Sequence, residues 1–429
     1  MKLFQQMLVA GATLSFLAPV AAQASDLVNV EEMNSYVRST KKQSSRLDNK
    51  TFINEVSEDI ANLESRVDGL EVKQNEFEAG GFSDTTTLDG KAVFALMGTD
   101  HSKVKTDGTD SLIAAYQYTM NLNSSFTGDD NLYLRLRSGN GTSKFTSKTY
   151  GTYLSMGSGY ADKLTVDKIW YTFPVGDNNT FWVGPKIENY YMHGTTPSIY
   201  KPVTKLFTLG GNGDAYGAST DSGIGWAYKA DNGFAVSSNV VSKQNGGSSL
   251  GFLTNEAKTS WATQAGYTTD QWSVSAIVNN KYNGWTDGYY ESAQHTPSDF
   301  VTGVTNFTAI GLRGWWRPLE TGTATPAVSL GYDTTDFDAA PEASNNSTAW
   351  FAGLTWQDMF QADDRIGIAF GQPTMNEDEP NEPFAYEAYY EFKANDSVTI
   401  TPTIFGGTNR KGTDGDDVFG TVLQTTFKF

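Results

Sequence analysis

From Phe82 onward, hydrophobic and polar positions alternate with a period of two. Ala114, Tyr116, Tyr118, Met120, Leu122 and Phe126 share one parity, and Gln117, Thr119, Asn121 and Asn123 the other. Leu132, Leu134 and Leu136 alternate with Tyr133, Arg135 and Arg137. Phe384, Tyr386, Ala388, Tyr390 and Phe392 alternate with Glu387, Glu391 and Lys393. The final stretch sets Phe419, Leu423, Phe427 and Phe429 against Gly420, Gln424, Thr426 and Lys428. Successive side chains of a strand point to opposite faces, so each stretch reads as a strand with one apolar and one polar face. Sixteen strands are predicted, at roughly 87–98, 111–126, 131–138, 162–173, 180–187, 222–229, 234–242, 258–268, 271–281, 304–317, 325–332, 347–356, 364–371, 384–394, 397–405 and 419–429.

The connections alternate in length. Gly128-Asp129-Asp130, Gly176-Asp177-Asn178-Asn179, Asp231-Asn232-Gly233, Thr269-Asp270 and Lys393-Ala394-Asn395-Asp396 are short. The segments 139–161, 188–221, 243–257, 282–303, 333–346, 372–383 and 406–418 are long and polar. Outer-membrane barrels have short periplasmic turns and long outside loops, whereas a soluble sandwich has no reason for that rhythm. Open edges in lipid leave backbone groups unpaired, so the sheet must close. The expectation for 82–429 is an all-β, 16-stranded antiparallel transmembrane β-barrel, with charges toward a wet lumen and aliphatics toward lipid. An even strand count places both ends at the periplasmic rim. There the last strand, with Phe427 and Phe429, is expected to close against the first and to carry the signal read by the barrel-assembly machinery.

The pattern before Gly81 is different. Ile53, Val56, Ile60, Leu63, Val67 and Leu70 recur at alternating spacings of three and four, with charged residues between them. This heptad predicts an α-helical coiled coil within a periplasmic segment 25–81, or a single amphipathic helix packed on the barrel. Residues 1–24 read as a secretory signal: Lys2, the apolar run Leu8 to Ala22, and Ala22-Gln23-Ala24 before Ser25. No later stretch is long and apolar enough for a transmembrane helix.

Composition narrows the function. Hydrophobic content is 38%, which excludes a helical membrane bundle but suits a barrel with a polar lumen and loops. Twenty-one Tyr, 25 Phe and 10 Trp supply interfacial girdles. Cys is absent, which removes disulfides and thiolate metal sites. A formal charge of −18 argues against a nucleic-acid partner. No catalytic constellation stands out. His101, His193 and His295 are isolated, and Gly247-Ser248-Ser249-Leu250-Gly251 matches G-x-S-x-G without the strand–turn–helix context it needs. Glu377-Asp378-Glu379 with Glu382 reads as a solvated outer loop rather than a cation site. The chain is read as a non-enzyme without a cofactor or metal.

Four blocks, Leu63 to Phe94, Ser125 to Gly141, Leu164 to Pro185 and Tyr386 to Phe429, resemble cyanobacterial outer-membrane porins. These are a family of iron uptake porins and carbohydrate-selective porins. The resemblance implies a trimeric outer-membrane pore. The family's S-layer-homology domain has no counterpart in Asp26 to Asn54, so its attachment to peptidoglycan-linked polymer is not carried over.

Arg135 and Arg137, with Lys168 beside Trp170, are expected to face the pore. General porins fold their third outside loop into the lumen. Here that loop is 188–221, which offers Glu188, Lys201, Lys205, Asp214 and Asp221. A basic wall opposed by an acidic loop would set a transverse field that selects by charge and size; otherwise these charges merely solvate the lumen. Tyr190, Tyr191, Tyr200 and Tyr216 either stack on sugar rings or pack the loop against the wall. The expected activity is passive diffusion of small ions and hydrophilic solutes, iron species or sugars included. The alternative is a plugged structural or adhesive barrel.

Overall fold

The structure is a computed structural model that describes residues 81–83, 85–103, 111–141, 145, 153–157, 160–211, 213–217, 220–243, 251–285, 306–338 and 346–429. The expected signal peptide and coiled coil lie outside the described residues. The chain divides into two compact units, and the second, Gly80–Phe429, contains all of the described residues.

A short strand, β1 (Gly81–Ser83), folds back on β2. The wall is β2 (Thr86–His101), β3 (Ile113–Ser124), β4 (Asn131–Gly139), β5 (Thr165–Val175), β6 (Asn179–Glu188), β7 (Thr220–Lys229), β8 (Phe234–Ser242), β9 (Thr259–Thr268), β10 (Trp272–Tyr282), β11 (Phe307–Trp316), β12 (Ala327–Phe337), β13 (Asn346–Gln357), β14 (Arg365–Asn376), β15 (Phe384–Asn395), β16 (Val398–Thr408) and β17 (Val418–Lys428). Each pairs antiparallel with its neighbour in sequence, and β17 pairs with β2 from Val418↔His101 to Lys428↔Lys91. The sixteen wall strands therefore form a closed barrel, and each predicted strand has its counterpart.

The rhythm of the connections is less regular than the pattern suggested. β12, β14 and β16 continue to Phe337, Asn376 and Thr408, into segments read as loops, while the turn between β11 and β12 spans 317–326. The polar residues of those strand ends face the lumen, where they stay wet, so a run of polar residues there did not mark the end of a strand. Thr335 and Asn376 are buried inward.

The outward face is apolar at mid-height. Val274, Val278, Ile310, Leu312, Leu330 and Ile404 are all exposed, as lipid-facing side chains must be. Aromatics gather at the short-turn end. Trp272 opposes Trp316, Tyr267 stacks with Trp272 at 5.5 Å, and Tyr118 stacks with Phe429 at 5.8 Å. A further group, Trp350, Phe370 and Phe384, lies on the outward face toward the loop end. Gly90 and Phe429 exchange two backbone hydrogen bonds of 2.9 and 3.1 Å, which carry the closing ladder to the last residue.

The short turns are stabilised by buried aspartates. Asp130 Oδ1 accepts from Ser125 Oγ, Phe126 N and Thr127 N at 2.8 Å, and its Oδ2 accepts from the Tyr171 hydroxyl at 2.6 Å. The tyrosine hydroxyl and these turn donors hold the carboxyl below the usual carboxylate range. Asp364 repeats the device, accepting from Met359 N, Phe360 N, Gln361 N and the Tyr390 hydroxyl.

Candidate functional site

Ladder irregularities on β4–β7 shape one side of the lumen. Between Arg135 and Leu136 the β4–β5 register shifts, and Asp167 and Lys168 both become buried on the inner side. Between Gly184 and Ile187 the β6–β7 register shifts, and Ile187 and Glu188 both become buried. Bulges of this kind re-aim side chains that strict alternation would send outward. Lys168 forms an ion pair with Glu188, and its ammonium lies 4.7 Å from the Tyr191 ring centre. Arg137 pairs with Asp167 at 3.3 Å. Arg135 Nε donates to Asn121 Oδ1 at 2.9 Å, and Asn121 Nδ2 donates to Asp89. Behind these charges Tyr133, Trp170, Tyr191 and Tyr190 form a continuous aromatic stack, with centroids 4.3, 4.8 and 4.5 Å apart.

The connection from β6 to β7 crosses the lumen. It contains two 3-10 turns, Asn189–Met192 and Lys205–Gly210, and the one-turn helix α1 (Gly213–Tyr216). Its backbone reaches the far wall repeatedly. Thr195 N donates to Gln264 Oε1 at 3.0 Å, Trp315 Nε1 donates to Thr196 O at 3.0 Å, Ile199 N donates to Ser329 Oγ at 3.1 Å, and Asn279 Nδ2 donates to Ala215 O at 2.9 Å. The wall makes room through glycines. A Cβ on Gly331 would lie 1.8 Å from Gly210 O, and one on Gly311 would lie 2.9 Å from Ala215 Cβ.

Two buried anchors hold this loop. Glu387, on β15, accepts from the Tyr200 hydroxyl at 2.8 Å, Val203 N at 3.2 Å, Thr204 N at 2.8 Å and the Thr204 hydroxyl. Arg313, on β11, donates twice to Asp333, at 2.8 and 3.0 Å, and through Nε to Leu209 O at 2.8 Å. The connection from β4 to β5 joins the loop. Ser155 N donates to Val203 O and Lys205 N donates to Tyr153 O, both at 2.7 Å. Phe145, Leu154 and Met156 pack with Val203 and Phe207 over Val93, Ala95 and Met97.

The pore residues expected from the sequence are thus divided among four places. Arg135, Arg137, Lys168 and Glu188 meet on the β4–β6 wall. Asp214 is buried near Asp333 and Lys281 on the opposite side, and Asp221 lies on β7 opposite Ile187. From the loop, Lys201 and Lys205 face the basic groups: Lys201 acts electrostatically on Arg365 and Lys428, and Lys205 on Lys168 and Arg137. The expected opposition of basic wall and acidic loop is therefore corrected. Glu188 pairs with Lys168 on the wall and Asp214 is buried elsewhere, so the charges that the loop brings to the basic wall residues are the like charges of Lys201 and Lys205. Burial holds Lys205 down at about 8, against the opposing pull of Glu188. Tyr200 and Tyr216 pack and hydrogen-bond within the loop seat. His193 is buried between Asn239 and Ser237, which keeps it neutral, at about 3. Among the described residues no group of His, Asp and Glu is placed to hold a metal.

A loop folded into a sixteen-stranded barrel, anchored to the opposite wall and lined with charge, is a porin architecture. The sequence model of the carbohydrate-selective porin, OprB family matches residues 47–429. The chain belongs to that family. It is an outer-membrane porin for solutes. An uncharacterized protein of Nostoc sp. (strain PCC 7120), alr4550, is 24% identical over 420 residues, covering 87% of this chain and 71% of that protein. Among solved structures, Pseudomonas putida OprB matches with a TM-score of 0.56 at 12% identity, covering 83% of this chain and 96% of that one, a likeness of fold.

The porin's lumen also carries residues that the sequence reading did not nominate: Lys91, Lys428, Arg365 with Glu391, and the anchors Glu387, Arg313 and Asp333. Each is a charge on the inward parity of its strand. That signal was present at Glu387 and Glu391, but parity alone does not say which inward charges meet water and which meet the loop.

Proposed function

We propose that the protein is a passive pore for small hydrophilic solutes whose charge preference is set by Arg135 and Arg137 together with Lys201 and Lys205. What supports this reading is a positively charged passage in a chain of net charge −18: basic residues of the β4 wall and of the loop face the same part of the lumen. Replacing both Arg135 and Arg137 with Ser is expected to lower the anion-to-cation permeability ratio about five- to tenfold, the effect of removing two unit charges close to the passing ion. Reversal potentials across a planar bilayer under a salt gradient measure it, and an unchanged ratio would return both arginines to solvating the lumen. Lys205 adds a pH dependence. It is charged below about 8 and neutral above. The anion preference should therefore fall between pH 7 and pH 9, and Lys205→Met should flatten that fall.

Sugars and iron species belong to this reading only as candidate cargo, to be separated by liposome swelling with graded solutes. The heptad in 25–81 supports a periplasmic coiled coil and a trimer, and the contacts of Phe427 and Phe429 at the closing seam support their reading in assembly. A second reading, a plugged barrel, is favoured by one observation: the apolar cluster of Phe145, Leu154, Met156, Val203 and Phe207 occupies the lumen beside β2. Purified protein that inserts into bilayers but stays silent would establish the plug.

A further inference from the structure

Four inward-facing cations of the barrel wall are matched by a carboxylate. Arg137 has Asp167, Lys168 has Glu188, Arg313 has Asp333, and Arg365 has Glu391. Lys91 and Lys428 are different. They are direct register partners across the closing β2–β17 seam. Both take the inward parity: Val93, Ala95 and Met97 continue it on β2, as Val422 and Val418 do on β17, and all of these are buried. Both lysines are exposed to water, and neither forms an ion pair among the described residues. Like charges directly opposite on adjacent strands destabilise a sheet. The surroundings do not relieve this pair: Arg135 and Arg137 also act repulsively on Lys91, and Lys201 reaches Lys428 from the loop.

We infer that Lys91 and Lys428 form a binding step for a small divalent oxyanion, of the phosphate or sulfate type, within the solute path. Two ammonium groups on paired strands start from Cα atoms about 5 Å apart. Their flexible stems let six N–H donors converge on the separate oxygens of one tetrahedral anion. A doubly charged anion neutralises both lysines at once, whereas chloride offers a single charge and no spread of acceptors. Glu391, held at 3.4 Å by Arg365, is the acid that acts on Lys91, and it is already paired. The step lies at the short-turn end of the barrel, so an anion passing the basic passage meets it next to the periplasmic rim. Water-exposed lysines make the step weak, which a pore requires, since a solute that binds must also leave.

This inference rests on the pore reading, and the test separates the two. The full chain is reconstituted in planar bilayers, and its potassium chloride current is titrated with inorganic phosphate. Millimolar phosphate should lower the current reversibly. Lys91→Gln with Lys428→Gln should raise the phosphate needed for half-block about tenfold, as expected when two unit charges leave a site. The two-arginine variant, Lys91→Arg with Lys428→Arg, should retain the block. If the double Gln variant fails to insert, Lys91→Glu alone should abolish the block. A wild-type chloride current indifferent to phosphate, or a block that survives both neutralisation and reversal, would overturn the inference while leaving the pore standing. Inserted protein that carries no current would overturn the pore reading and this step with it.

Discussion

Replacing Glu387 with alanine is expected to release the lumen loop and convert a quiet pore into a wider, noisier one. The Glu387 carboxylate is 1% exposed and accepts from four donors of Tyr200, Val203 and Thr204. Each buried donor left unmet costs about 1–3 kcal/mol, so the loop seat loses several kcal/mol. The β15 strand itself keeps its ladder to β14 and β16, so the barrel should still form. Single-channel conductance should rise and fluctuate, and trypsin should cleave after Lys205, which the seated loop protects. Glu387→Gln should be intermediate, since an amide keeps one acceptor oxygen but brings a donor to face other donors. Unchanged conductance and unchanged protease resistance would show that the loop is held elsewhere.

The second large effect is expected at the opposite anchor. Arg313→Met strands Asp333 in a buried site that already contains Asp214, and removes the donor to Leu209 O. Breaking one partner of a buried pair costs about 3–5 kcal/mol, whereas replacing both with apolar residues is often close to neutral. The double replacement, Arg313→Met with Asp333→Leu, should therefore recover most of the thermal stability lost in the single variant. Thermal unfolding of the detergent-solubilised protein reads this directly, and a double variant as weak as the single one would mean that Asp333 has another obligatory role. The Gly331–Gly210 approach predicts a companion result. A side chain at Gly331 would collide with Gly210 O and come within 3.3 Å of the Arg313 side chain, so Gly331→Ala should displace the loop, widen the pore and loosen the same anchor.

The barrel was legible in the sequence because membrane burial imposes a rule on every strand. Leu132, Leu134 and Leu136 must face lipid, so Arg135 and Arg137 must face inward, and one parity assignment places five residues at once. The ends of β12, β14 and β16 were read short for the complementary reason. Their lumen-facing polar residues resemble a loop when no outward apolar partner marks the face. Lys168 reads from the sequence as a wall charge and Glu188 as a loop charge opposed to it; their pairing is not legible, since it depends on two register shifts that leave no mark in the alternation.

What the chain's own pattern determined is the wall: sixteen strands, their order, their inward and outward faces, and the closure of β17 on β2. These follow from local periodicity together with the demand that no backbone group be left unpaired in lipid. What only the tertiary structure decided is the content of the lumen. Whether an inward charge is an anchor, a paired spectator or a free cation depends on which part of a distant loop lies over it. Glu387 and Glu391 occupy equivalent parities on one strand. The first holds the loop, and the second stands beside Arg365 facing Lys91. No spacing along β15 distinguishes them, because the difference lies in Tyr200, Val203 and Thr204, far away in sequence and brought across the barrel by the fold.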